Sequence, residues 1–162
     1  MRWAALILVC WPGAVMAQDL VFSAAATEAC LEISQEPRAC IGISAQACMA
    51  QTEGGYSTVV MGGCLDRERE FWDERLNTAY AAVMAEARAA DAEAAQTGQR
   101  PSGQAEALRD MQRAWIAFRD AACAYEYSTW GGGTGAGPAG TACLMRLTGE
   151  QALTLGERTV PE

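Results

Sequence analysis

Seven cysteines in 162 residues, in a chain with no histidine and no lysine, constrain the fold more than any other feature. Cys10 lies inside MRWAALILVCWPGAVMA, residues 1–17, which has one basic residue, Arg2, an apolar run from Trp3 to Trp11, a Pro12-Gly13 break and Val15 and Ala17 near its end. This is the pattern of a secretory signal peptide, and its apolar run is too short to span a bilayer. No membrane anchor is expected, because Cys10 follows Val9 within the apolar run, not at the end of a lipoprotein signal. Export leaves Cys30, Cys40, Cys48, Cys64, Cys123 and Cys143. An even set in an oxidising compartment reads as three disulfides. Zinc ligation, the competing reading, lacks a C-x-x-C pair and any histidine. No metal and no cofactor is expected.

Residues 18–162 make one domain's worth of chain, expected to be soluble and periplasmic or secreted. Without Arg2, 11 arginines face 20 acidic residues, a formal charge of minus nine. Such a surface repels nucleic acid and anionic lipid and attracts basic partners.

Helical spacing dominates the second half. From Cys64 to about Ala95, Leu65, Trp72, Leu76, Ala79, Tyr80, Val83 and Ala87 recur on one face with charges between them, which predicts a long amphipathic helix. Residues 96–104, QTGQRPSGQ, predict a turn. A second helix is predicted from about Gln104 to Tyr127, with Leu108, Trp115 and Ala122 seven apart and Met111, Phe118 and Tyr125 as the alternate seam positions. Two helices joined by a short turn predict an antiparallel αα-hairpin. A shorter third helix is predicted from Cys143, with Leu144, Leu147, Ala152 and Leu155 on one face, a capping box from Thr148 to Gln151, and a break or restart at Gly149. The fold class is therefore all-α, disulfide-stabilised, with a Cys-rich N-terminal extension over residues 18–63. There, Pro37 splits two short Ala-rich segments and GGYSTVVMGG, residues 54–63, reads as a loop with a few extended residues.

WGGGTGAGPAG, residues 130–140, contains a literal G-x-G-x-x-G in Gly135, Gly137 and Gly140. A dinucleotide site needs a preceding strand and a βαβ unit, and a phosphate loop needs a lysine; neither context is here. The structural reading is a loop closed at its base by a bond between Cys123 and Cys143, with Cys30, Cys40, Cys48 and Cys64 pairing among themselves in an unspecified order.

Without histidine or lysine, triads, Schiff bases and His-metal sites are excluded. A carboxylate pair remains. DREREFWDE supplies Asp66, Glu68, Glu70, Asp73 and Glu74, although acids alternating with arginine on a helix read as a solvated face. Arg119 and Asp120 are adjacent and are not expected to face one another; Arg119 is expected to meet Glu68 or Asp73 across the hairpin. Tyr125 is expected in the core. Tyr127 and Trp130, past the seam and beside Gly131, Gly132 and Gly133, have the composition that contact surfaces favour, with burial as the competing reading.

C-L-D-R-E-x-x-x-W-D-x-R-L-N-x-x-Y from Cys64 to Tyr80, L-x-x-M-Q-R-A-W-I-A-F-R-D-A-A-C from Leu108 to Cys123, then G-G-G-T and C-L-M-R-L-T, resemble the exported domain family named for the lysozyme inhibitor LprI. The resemblance covers about residues 64–156 and implies an all-helical, disulfide-bonded domain outside the cytoplasm. Motif residues Trp72, Asn77, Tyr80, Trp115, Arg119 and Asp120 are expected to be structural. Gln151 stands where many members have arginine, and residues 18–63 are an addition to which the hallmark gives no role. For the namesake the resemblance implies lysozyme inhibition. The expectation is an exported binding protein, not an enzyme, that blocks a basic lysozyme-type cell-wall hydrolase. The alternative is a structural or accessory envelope protein without inhibitory activity.

Overall fold

The computed structural model describes residues 19–98, 100 and 103–159. The expected leader lies outside them, as does part of the turn at 96–104. The described chain is helical, with no strand among the described residues. Helix α1 spans Ala25–Ile33, a 3-10 turn covers Pro37–Cys40, and α2 spans Ile43–Gln51. Helix α3 runs over Thr58–Gln96, α4 over Gln104–Ser128 and α5 over Ala136–Gly156, followed by a second 3-10 turn, Glu157–Thr159. No described helix is long and apolar enough to cross a membrane.

Two starts differ from expectation. Helix α3 begins at Thr58, so only the first half of residues 54–63 is a turn. Ser57 caps α3, its hydroxyl accepting a hydrogen bond from the Val60 amide at 3.3 Å, as a serine does at an N-cap. Gly62 and Gly63 are helical, and a Cβ on Gly63 would stand 2.7 Å from Leu20 Cδ1. Helix α5 begins at Ala136, not Cys143, and passes through Gly149 unbroken. Pro138 sits in its first turn, where proline's missing amide is not needed. The expected capping box at Thr148 does not form. Gln151 Nε2 instead donates to Gln112 Oε1 on α4 at 3.1 Å.

Helix α3 buries Val60, Cys64, Glu68, Trp72 and Leu76, an i, i+4 row along one face. Its main partner is α5, and α4 packs more extensively on α5 than on α3. The direct α3–α4 contact expected of a hairpin is thus a lesser one. Trp72, Leu76, Met145, Ala152, Leu155 and Ala45 form the central core, with Leu31, Ile41 and Met49 from the N-terminal segment packed against it. Gly149 sits where a Cβ would lie 3.1 Å from Trp72 Cδ2 and 2.9 Å from Ile41 Cδ1. The missing side chain lets α5 approach the buried indole closely.

Three disulfides close the structure: Cys30–Cys40, Cys48–Cys64 and Cys123–Cys143, with Cα separations of 5.6, 5.7 and 5.4 Å. The second joins α2 to α3 and the third joins α4 to α5. Bridges closing loops of these lengths contribute about 3 kcal/mol each in the loop-entropy account.

Candidate functional site

Glu68 is not on a solvated face. Its side chain is fully buried, and Oε1 accepts from Thr27 Oγ1 at 3.0 Å, the Gly42 amide at 2.7 Å and Trp72 Nε1 at 3.1 Å. Oε2 accepts from the Ala45 amide at 2.6 Å. Gly42 and Ala45 are the N-cap and third residue of α2, whose orphan amides and positive dipole end favour a carboxylate. Thr27 and Ser44 complete the cluster by exchanging bonds, each amide donating to the other's hydroxyl at 2.9 and 3.1 Å. Both Glu68 oxygens therefore serve the fold and face no solvent. Asp73 accepts from Asn77 Nδ2 at 3.1 Å. Of the two acids expected to meet Arg119, Glu68 is thus a buried structural acid and Asp73 lies on the helix surface.

Arg119 does not reach across to α3. Its Nε and Nη2 donate to Asp120 Oδ1 at 2.9 and 2.8 Å, because the long side chain curls back to its neighbour. The guanidinium lies 5.1 Å from the Trp115 ring centroid, within cation–π range. Trp115, Tyr80 and Leu108 are partly buried against the core, and Trp72 is at its centre.

The inward residues of α4 are Ala105, Leu108, Gln112, Trp115, Arg119, Ala122 and Cys123, whereas Met111, Phe118 and Tyr125 are exposed. The expected six-residue seam is therefore half outside, and Tyr125 is not core. The sequence holds two apolar stripes on this helix, and the one containing Leu108 and Trp115 is buried.

At the far end of α4 the predicted contact residues come together. Gly131 and Gly132 have φ of 56° and 82°, left-handed values that side chains rarely adopt, and they turn the chain out of α4. The Gly133 amide donates to Trp130 O at 2.9 Å, and the Ala136 amide to Gly133 O at 3.0 Å. Trp130 lays its ring over Gly135, where a Cβ would collide with the indole. Tyr127 rests on Gly140, 3.5 Å from where a Cβ would stand. Of the three fingerprint glycines, Gly135 is thus the N-cap of α5, and Gly137 and Gly140 lie in its first turns. No phosphate loop exists here. Tyr127 and Trp130 are 54% and 49% exposed, each with one face on glycine and the other to solvent.

A groove of about 560 Å³ runs between the two helices, lined by Asp120, Cys123, Ala124, Tyr127, Gly137, Gly140, Thr141 and Leu144. Glycine and alanine line it beside the Tyr127 ring, and its one acidic side chain, Asp120, is paired with Arg119. The groove residues contributed by α5 were not among the sequence candidates; the i, i+3 spacing of Gly137 and Gly140 was their one signal. A larger groove, about 740 Å³, lies between α3 and the end of α5, with Glu28, Glu74, Arg75 and Glu157 on its walls. No cluster of three or more potential metal-ligating side chains occurs among the described residues.

An all-helical, disulfide-stapled domain with a solvent-facing aromatic groove is the class that this geometry defines. Residues 48–155 match the family described as Lysozyme inhibitor LprI, and the chain belongs to that family. The match begins inside α2, so it takes in the Cys48–Cys64 bridge and Glu68. The chain is also similar to an uncharacterized protein of Rhizobium meliloti (strain 1021), 33% identical over 94 residues that cover 58% of this chain and 68% of the relative. No solved structure matches the chain.

Proposed function

We propose that this protein is exported to the periplasm or beyond, where it binds and blocks a basic lysozyme-type cell-wall hydrolase. Membership of the lysozyme inhibitor family carries the reading, and three disulfides suit an oxidising compartment. The contact is assigned to the α4–α5 end. Tyr127, Trp130 and the Gly131–Gly133 turn project there beside the groove, and Glu126, next to Tyr127 in the chain, adds negative charge, whereas Asp120 is paired with Arg119. A formal charge of minus nine after residue 17 steers a cationic enzyme toward this surface and speeds encounter at low salt. Rigid aromatics held on glycine give contact area with little ordering cost.

The test is the clearing of a cell-wall suspension by lysozyme as mature, oxidised protein is added. Hydrolysis should fall as the protein approaches stoichiometric excess. Tyr127→Ala should need about tenfold more protein for the same effect, the loss expected of an aromatic anchor. Unchanged hydrolysis at large excess rejects inhibition of that enzyme. It would then favour the accessory envelope role.

A further inference from the structure

The outer flank of α4 carries a second feature, separate from the groove. Ala107, Met111, Ala114, Phe118, Ala121 and Tyr125 are all exposed, with Met111 at 40%, Phe118 at 61% and Tyr125 at 72%. Their steps alternate four and three, so at 100° per residue they stay within about 40° of one line for about 27 Å. Single exposed apolar residues are ordinary, whereas a continuous stripe on a highly charged protein is not.

The order along the stripe is small, large, small, large, small, large. Pairing it with itself in antiparallel fashion about a two-fold axis midway between Ala114 and Phe118 sets Ala114 against Phe118, Met111 against Ala121 and Ala107 against Tyr125. Every large side chain then meets an alanine. A two-fold axis requires this kind of self-complementarity, and large-into-small packing fills a helix–helix interface without overpacking.

The last of these pairs has a receptacle. Beside Ala107 a groove of about 320 Å³ opens between α3 and α4, lined by Val83, Ala87, Leu108 and Met111 among others, with Arg158 at its edge. It is apolar enough for a tyrosine ring and offers a cation near it. Met111, Phe118 and Tyr125 keep 40–72% of their surface exposed, so with the three alanines and the groove lining the contact removes on the order of 400–500 Å² per copy, at the lower edge of a specific interface.

We propose that the outer face of α4 is a homodimer interface, in which two copies pair antiparallel and Tyr125 of the partner subunit enters the groove beside Ala107. The α4–α5 groove stays open in the dimer, since Asp120, Ala124 and Tyr127 lie on another side of the helix. Each copy would thus present one groove, and the pair would be bivalent.

Sedimentation equilibrium of the mature, oxidised protein tests this. A dimer is expected with a dissociation constant on the order of 10 μM. Salt should tighten it, because two copies of like charge repel less when screened. Ala114→Phe sets two large rings against each other and Phe118→Ala leaves a gap; each should weaken the dimer about tenfold. The combined variant exchanges the two sizes and should return to within about threefold of wild type. Both positions are exposed, and circular dichroism melting will show that the fold is kept in all three variants. A monomer at all concentrations, or a combined variant no better than the single ones, overturns the proposal. So does a monomer whose binding to lysozyme is lost on Phe118→Ala, which would give the stripe to a different protein.

Discussion

Replacing Glu68 by alanine removes the acceptor for the Gly42 and Ala45 amides and for Trp72 Nε1, all in the interior. Each buried donor left without a partner costs about 1–3 kcal/mol. Glu68→Ala should therefore destabilise by about 3 kcal/mol or more, and lower the melting temperature by roughly 6–12 °C in a domain of this size. Circular dichroism melting checks it, and a shift within about 2 °C would contradict the hub role. The position of Glu68 was partly legible. Cys64, Glu68, Trp72 and Leu76 stand four apart, and that row runs through the core. The surrounding DREREFWDE masked it, since acids among arginines usually face water. What sequence alone did not carry was the acceptor's purpose, because α2 arrives from twenty-odd residues upstream to be capped. Arg119 shows the opposite limit. Adjacent helical side chains point apart, yet an arginine stem is long enough to fold back, so Asp120 took the partnership expected of α3.

At the scale of elements, the helical periods of α3 and α4 were readable and their ends were not always so. The turn near residues 96–104 was legible because α3 stops near its glycine and Asp91 caps the next helix, accepting from the Gly103, Gln104 and Ala105 amides at 3.0–3.1 Å. The starts of α3 and α5 were misplaced for one shared reason. Glycine lowers helix propensity, but Gly63 and Gly149 are placed where a neighbour, Leu20 for the first and Ile41 and Trp72 for the second, comes near enough to crowd a side chain, and Gly140 lies in contact with Tyr127. Tertiary packing outweighed local preference at each. On α4, two apolar stripes compete for the interior, and only the position of α5 decides between them. The Cys123–Cys143 bridge fixes that position at the groove end. Serine at both cysteines should cost about 3 kcal/mol and weaken inhibition more than the stability loss alone explains. Melting and inhibition measured side by side on the same double variant would show it. Full inhibition by the folded variant would mean that the groove does not depend on the staple.

The molecule as a whole is a bundle in which the N-terminal segment is built into the core rather than appended to it. Leu31, Ile41 and Ala45 pack with Trp72 and Leu155, and Cys48–Cys64 ties α2 to the start of α3. The all-helical class and the family were legible from the motifs between Cys64 and Thr148. The role of residues 18–63 was not, because its contribution is a set of long-range contacts with no periodic signature. Acidic charge spread over such a bundle favours a basic partner, and in the function proposed above the aromatic groove at the α4–α5 end is where that partner would dock. The most direct measurement is the affinity of mature protein for lysozyme by calorimetry, for wild type and for Ala124→Arg, an exposed position in the groove. The account predicts saturable one-to-one binding per groove that weakens with added salt, and loss of that binding in the folded Ala124→Arg variant. No heat of binding for wild type, or equal affinity for both proteins, would contradict it.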